Sequence, residues 1–273
     1  MPALSLHLPQ GDRLVEPFAG SCAVMMNTDF PAYLVADVNP DLINMYRQIK
    51  DLTRPFIVVA ATLFNQNKTE ESYYQVRAEF NNNPAMPLLE RAAYFLYLNR
   101  HGYRGICRYN RRGEFNIPYG HYAKPYFPLA ETEAFAEKAQ RAEFVCADYR
   151  ETLGMVKTGD VVYCDPPYHG VFTDYHTGGF SEEDQHSLAC ILLGISEQNP
   201  VAVSNSDTLF TRSIFRAFDI TRINVARSVG VAAGKGKSAT EIVAVRGPKA
   251  GPVFIGVDMA AGDDYSTIVP VAQ

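Results

Sequence analysis

Asp165-Pro166-Pro167-Tyr168 constrains this chain more than any other segment. Residues of these types in this order arise by chance in roughly one chain per thousand of this length. They directly follow the apolar run Val161–Cys164, which reads as a buried strand. The tetrapeptide therefore stands at the carboxyl end of a sheet strand, where open α/β sheets bind their ligands. Two prolines stiffen the backbone and remove two N–H donors. Asp165 and the Pro166 carbonyl then form an acceptor-lined pocket, suited to an exocyclic amine with its two N–H donors. Tyr168 offers a flat face on which a base can stack.

A second strand end carries Glu16-Pro17-Phe18-Ala19-Gly20. Arg13–Phe18 reads as a short strand that turns through glycine into Ala23–Met26, the position of a nucleotide-binding turn in a first βα unit. The apolar run Tyr33–Ala36 ends at Asp37, some 20 residues on, where an acid bonds ribose hydroxyls in such folds. Asn39-Pro40 then opens a helix with Leu42, Ile43, Met45, Tyr46 and Ile49 on one face.

From residue 55 to 140 the strand signal fades. Pro55–Asn67, Glu70–Asn81 and Met86–Arg100 read as helices, and a glycine- and tyrosine-rich basic stretch follows over 101–124. Arg112-Gly113 sits between Arg108-Tyr-Asn and Glu114-Phe-Asn-Ile, a β-hairpin pattern. Strands return at Glu143–Cys146, Asp160–Cys164, Pro200–Ser204, Ile220–Val225 and Glu241–Val245, with a helix over 181–198 capped by Ser181. The expected fold is an α/β sheet interrupted by a mostly helical insertion containing a hairpin. Its parts are residues 1–54, the insertion 55–141, 142–247, and an extension 248–273 in which Val253–Val257 pairs with Ser266–Val269 around Asp263-Asp264.

The net charge of −5 disfavours a globally basic nucleic-acid binder. Charge is nevertheless local: Arg100, Arg104, Arg108, Arg111, Arg112 and Lys124 face only Glu114 in their segment. Five cysteines without Cys-x-x-Cys spacing argue against a disulfide framework or structural zinc. Cys146 and Cys164 end apolar runs and read as small buried side chains. With no apolar run near the roughly 18 residues of a membrane span and no secretory signal, a reducing cytosol is the expected compartment. Gly234-Lys-Gly-Lys-Ser238 lacks the first glycine of a P-loop, since position 231 is valine, and reads as a basic loop near the ligand. Asn67-Lys-Thr69 matches a glycosylation sequon, which carries no meaning in that compartment.

Taken together, Leu14-Val-Glu-Pro-Phe-Ala-Gly20, Asn27-Thr-Asp-Phe30, Ala36-Asp-Val-Asn39, Leu96-Tyr-Leu-Asn-Arg100, Cys107-Arg-Tyr-Asn110, Arg112-Gly-Glu-Phe-Asn116, Tyr126-Phe127, Tyr163-Cys-Asp-Pro-Pro-Tyr168, Tyr175-His-Thr177 and Ser204-Asn205 resemble the Dam-type DNA adenine-N6 methyltransferases of bacteria and their phages. The resemblance runs from about Leu8 to Arg246. It implies a Rossmann-like methyltransferase sheet, the insertion serving as target-recognition domain. It also implies S-adenosylmethionine as methyl donor, and adenine of a Gly-Ala-Thr-Cys duplex site, flipped from the helix, as acceptor. Asp165, Pro166, Pro167 and Tyr168 would hold the target amine. Glu16, Pro17, Phe18, Ala19, Gly20, Ser21, Asp37, Asp148, Tyr149 and Asp165 would hold the cofactor.

In this family the insertion reads DNA. Arg108 matches an arginine that contacts a guanine, Tyr103 a tyrosine that wedges into the duplex, and Arg104 a position often held by Asn that fills the vacated space. Ile106 and Pro118 match apolar contacts to a thymine methyl, while Arg77, Arg100, Asn110, Arg112 and Asn116 look like further DNA contacts. The implied partner is double-stranded DNA, with no metal and no membrane, and the expected state is a monomer in a bacterial or phage-infected cytoplasm. Two departures stand out. Relatives carry a Trp-Ala-Gly-Gly-Lys element some 20 residues before the cofactor turn that is not found here, and Cys22 replaces the turn's second glycine, where a side chain would crowd the cofactor. An alternative reading is therefore a catalytically weakened or inactive DNA-binding relative. A third is methylation of another amine, in protein or RNA, against which the 103–118 segment argues.

Overall fold

The computed structural model describes residues 6–122, 125–170, 179–226, 238–248 and 254–257. Seven strands form one sheet: β2 (Arg13–Glu16), β3 (Ala32–Asp37), β4 (Ala142–Cys146), β5 (Asp160–Cys164), β6 (Val201–Ser206), β7 (Asp219–Ala226) and β8 (Ser238–Arg246). Their order is β4-β3-β2-β5-β6-β8-β7, with β8 antiparallel to both neighbours and the remaining pairs parallel. This is the expected Rossmann-like methyltransferase sheet.

The strand residues alternate between two apolar cores, as period-two geometry requires. Leu14, Val161, Tyr163 and Ala202 pack into one core; Val15, Val162, Cys164, Val201 and Val203 pack into the other. The second core is closed by α7 (Tyr149–Leu153) and α8 (Glu182–Ile195) through Tyr149, Leu153, Leu188 and Leu192. The first is closed by α2 (Pro40–Asp51), α3 (Thr53–Gln66), α4 (Glu70–Asn82), α5 (Leu88–His101) and α6 (Leu129–Ala139). The helical insertion thus shares its core with one face of the sheet.

Local chemistry sets the helix starts. Asn39 Oδ1 accepts from Asp41 and Leu42 N–H, with Pro40 in the first turn of α2. Thr69 and Ser72 form a capping box on α4, and Ser181 and Asp184 another on α8. Of the sequon residues, Asn67 ends α3 and Thr69 caps α4. At the far end of the sheet, Arg13 grips Asp160 through Nε (3.0 Å) and Nη2 (2.7 Å). That fork fixes the register of β2 against β5, and with it the relative height of the two motif-bearing strand ends.

Three details differ from expectation. Strand β1 (Leu6–Pro9) pairs antiparallel with β9 (Phe254–Val257), so the extension's described strand meets the amino-terminal region. Its expected partner 266–269 lies outside the described residues, as do Tyr175–Thr177, Lys124 and most of the 234–238 loop. Cys164 is buried as expected, but Cys146 is exposed, because it ends the outermost strand β4. The hairpin is present without a continuous ladder: its antiparallel pairing reduces to the bridges Gly102↔Tyr119 and Tyr109↔Phe115. Among the described residues no helix is long and apolar enough to cross a membrane.

Candidate active site and nucleic-acid interface

From β2 the sheet grows outward to β3 on one side and to β5 on the other. The crevice at such a reversal is where open α/β sheets bind ligands. Glu16 ends β2, and Asp165 follows β5 directly, so both sequence motifs meet at this crevice.

Asp165 is held by its neighbours. Ser204, on adjacent β6, donates its hydroxyl to Asp165 Oδ1 at 2.5 Å and lies 3.1 Å from the Tyr163 hydroxyl. Burial pushes the Asp165 carboxyl up to about 6; hydrogen bonds from Ser204 and Tyr168 pull it down, and the charge of Glu241 raises it. The Tyr168 hydroxyl donates to Glu241 Oε2 at 3.2 Å, and burial keeps this tyrosine a neutral phenol. Gln185 donates to the Pro167 carbonyl at 2.7 Å, and Asn205 donates to Gln185 Oε1 at 3.0 Å. His169, next in chain, donates its N–H to Asn205 Oδ1, sits between Thr208 and Glu182, and stacks on Phe210. The turn after β5 is therefore fastened to β6, α8 and the start of α9 (Leu209–Ile214).

The glycine turn after β2 is equally defined. Gly20 takes φ +45°, its N–H donates to Asp37 Oδ2 at 3.1 Å, and its carbonyl accepts the Tyr46 hydroxyl at 2.5 Å. Ala19 N–H donates to the Ala36 carbonyl at 2.8 Å. Pro17 leads from Glu16 into this turn, and Ser21 leaves it toward the short helix α1 (Ala23–Met26). Phe18 stacks on Tyr149 with centroids 5.5 Å apart, and Phe180 meets both rings edge-on. Asp148 Oδ1 accepts the Arg150 N–H at 2.9 Å, capping α7 at the rim of the same crevice. Cys22 adopts φ +59°, yet its side chain is fully buried in the first core, so it presents no surface to a ligand in the crevice.

Glu16 is 3% exposed and its Oε2 has no hydrogen-bond partner. Burial pushes its carboxyl up to about 8; a hydrogen bond from Met25 N–H lowers it and the charge of Asp165 raises it. A buried acid oxygen without a partner suits a ligand ammonium, and an aromatic wall suits a flat heterocycle, so these residues fit S-adenosylmethionine. Sequence reasoning missed Ser204 and Glu241 as partners of the Asp-Pro-Pro-Tyr turn. It also missed Phe180, which meets the Phe18 and Tyr149 rings.

Arg100, Tyr103, Arg104, Ile106, Arg108, Arg112 and Pro118 gather on the hairpin and its approach. Tyr103 is 44% exposed, with the Arg104 guanidinium 5.0 Å from its ring centroid. Ile106 is half-buried against the first core, whereas Pro118 and Arg112 are exposed. Arg100 lies over the Tyr126 ring at 4.5 Å. Arg108 Nε donates to Asn116 Oδ1 at 2.9 Å.

Two expected DNA contacts hold the hairpin itself. Asn110 Oδ1 accepts the N–H groups of Arg112 and Glu114 while its amide donates to Glu114 Oε2, which shapes the tip. Arg77 Nη1 donates to the Ile117 carbonyl at 2.7 Å. Tyr73 donates to that carbonyl as well, and Asn81 exchanges two bonds with the Phe115 backbone. Tyr73, Arg77 and Asn81 recur every four residues along one face of α4. That face replaces a neighbouring strand for the outer arm of the hairpin, which explains the sparse ladder.

Residues 1–229 match the family described as D12 class N6 adenine-specific DNA methyltransferase. The chain is 56% identical over 272 residues to the retron Ec67 DNA adenine methylase of Escherichia coli, covering 99% of this chain and 94% of that protein. It is 45% identical over 249 residues to the DNA adenine methylase of Escherichia coli strain K12, covering 89% of each. With the DNA adenine methylase of Serratia marcescens it shares 46% identity over 231 residues, 82% of this chain and 85% of that one. With the strand order and the two motif-bearing strand ends already described, the chain belongs to the D12 class of N6 adenine-specific DNA methyltransferases.

Proposed function

We propose that the chain methylates adenine N6 within Gly-Ala-Thr-Cys duplex sites, using S-adenosylmethionine and drawing the target base out of the helix. The observation that carries this reading is the meeting of Asp165 and Glu16 at the reversal of the sheet, one acid clamped by Ser204 and the other left with a buried, unpartnered oxygen.

When bound, S-adenosylmethionine supplies a methyl group activated by its sulfonium centre. Glu16 would hold the ligand's ammonium, Phe18 and Tyr149 would wall its purine, and Asp37 and Asp148 would receive its polar edges. Asp165 and the Pro166 carbonyl accept the two N–H bonds of the adenine amine, which frees the nitrogen lone pair from the ring and aims it at the methyl. As N6 gains its methyl it sheds one proton, for which the Asp165 carboxylate is the nearest acceptor. Positioning supplies the catalysis, with no covalent enzyme intermediate. An acceptor rooted at a strand end cannot reach a base inside a stacked duplex, which supports flipping, with Tyr168 as the stacking face. Arg108 reads a guanine, Ile106 and Pro118 meet a thymine methyl, Tyr103 and Arg104 occupy the opened stack, Arg100 and Arg112 contact phosphates, and Arg77, Asn110 and Asn116 hold the hairpin that presents them.

The test uses labelled S-adenosylmethionine with two duplexes, one holding a single Gly-Ala-Thr-Cys site and a twin with its adenine replaced. Label in the first alone supports both the acceptor and the site. Equal label in both removes the adenine assignment. Absence of label, with duplex still bound, favours a binding protein without catalysis.

A further inference from the structure

Asp41 is a 6% exposed acid in the first turn of α2, four residues after Asp37. Its carboxylate accepts Arg91 Nε at 2.5 Å and Nη2 at 3.1 Å, an ion pair complete in itself. Arg91, on α5, also donates to the Phe80 carbonyl and lies over the Phe80 ring. A third donor arrives from elsewhere: the Tyr109 hydroxyl bonds Asp41 Oδ2 at 2.6 Å. Tyr109 belongs to the hairpin, directly after Arg108, and its ring packs edge-on against Phe115. Burial and the Asp41 charge both raise the Tyr109 phenol, so it remains a donor throughout the neutral range.

The other side of Asp41 leads to the cofactor turn. Asp41 N–H donates to Asn39 Oδ1 at 3.0 Å, Asn39 N–H donates to Asp37 Oδ1 at 2.9 Å, and Gly20 N–H donates to Asp37 Oδ2 at 3.1 Å. Asp37, Asn39 and Asp41 thus form a run of alternate residues between the glycine turn and the hairpin. Around this run lies a groove of about 690 Å³, with Val38, Asn39, Asn44 and Leu88 on one bank and Asn110 to Gly113 on the other. The tip of the hairpin is set off from α2 by open space, and Tyr109 reaches Asp41 across it.

We propose that Tyr109 is a positioning residue that couples the two ligand sites: through Asp41 it ties the DNA-reading hairpin to the strand end that holds the cofactor, so that each ligand strengthens binding of the other. The proposal rests on the function proposed above. Coupling of this kind is reciprocal and typically changes affinity by roughly 5- to 150-fold.

The test measures binding of S-adenosylhomocysteine, which cannot turn over, to the full chain with and without a saturating Gly-Ala-Thr-Cys duplex. Duplex affinity is measured with and without S-adenosylhomocysteine in parallel. Wild type should show at least about a fivefold gain, equal in both directions. Tyr109→Phe keeps the ring and its packing. It should bring both ratios close to one while S-adenosylhomocysteine binding to the free protein shifts less than about twofold. Asp41→Asn, which keeps an oxygen for the tyrosine, should fall between. A wild-type ratio of one, or an undiminished ratio in Tyr109→Phe, overturns the coupling. If wild type bound neither probe, the proposed function itself would fail, a result distinct from either of these.

Discussion

Asn116 holds Arg108 twice: its side-chain oxygen accepts the arginine Nε at 2.9 Å, and its backbone N–H donates to the Arg108 carbonyl at 3.1 Å. An arginine fixed through Nε presents its two terminal amino groups as an oriented fork, the geometry that reads guanine O6 and N7. Arg108→Ala should therefore lose roughly 1–3 kcal/mol of discrimination at one guanine. Asn116→Ala should lose part of it, a fall of roughly threefold to tenfold in the preference for the cognate base pair. The measurement is kcat/KM on the cognate duplex against one altered at that pair. A uniform loss on both duplexes would mean that Asn116 serves the backbone and not the reading head.

In the proposed function Asp165 must be ionised to accept an amine proton. With its carboxyl pushed up to about 6, single-turnover methyl transfer should rise with pH through about 6 and level off above 7. The Ser204 hydroxyl stabilises the ionised form, so Ser204→Ala should move this limb to higher pH. Asp165→Ala should abolish transfer while leaving duplex binding largely intact. A limb unmoved by Ser204→Ala would assign the titration to another group, and transfer surviving in Asp165→Ala would remove Asp165 from the chemistry.

The parts of the site legible in the sequence were those written in consecutive residues. Glu16 to Gly20 and Asp165 to Tyr168 each follow a strand pattern, and strand ends on an open sheet converge whatever the loops do. Ser204 and Glu241 were not legible as partners, because they approach Asp165 and Tyr168 only once β6 and β8 have joined the sheet. The pairing of Leu6–Pro9 with Phe254–Val257 spans nearly the whole chain, beyond any local pattern. The roles of Arg77 and Asn110 were hidden differently. Basic and amide residues in a basic hairpin segment suggest contacts outward, whereas the Ile117 carbonyl draws Arg77 inward and the N–H groups of Arg112 and Glu114 draw in the Asn110 side chain.

Arg104 takes φ +57° and ψ +18°, a left-handed conformation that costs a residue with a Cβ roughly 1 kcal/mol or more. Asparagine tolerates this region better, since its short polar side chain bonds locally. Arg104→Asn should therefore stabilise the fold by less than about 1 kcal/mol, after the exposed contact with the Tyr103 ring is given up. For a chain of this size the melting temperature should rise by roughly 1–3 °C. A lower melting temperature would show that the arginine makes contacts outweighing its backbone strain.

In the proposed function Glu16 joins stability, cofactor binding and pH in one carboxyl. Its pKa of about 8 in the folded protein lies above the ordinary 4.5, so the proton is bound more tightly when folded. The stabilisation linked to that proton is fully present below pH 4.5 and is lost as pH rises through about 8. At pH 7 the free protein therefore carries Glu16 neutral. A ligand ammonium beside Oε2 favours the ionised form, so binding S-adenosylmethionine at pH 7 should release a proton from Glu16. Calorimetry in two buffers of different ionisation enthalpy measures that release directly. Glu16→Gln should abolish it, weaken binding, and flatten the decline of melting temperature between pH 5 and 8. If the variant released as many protons as wild type, the ammonium would have to be sought against another acid of the crevice, with Asp165 the first to substitute.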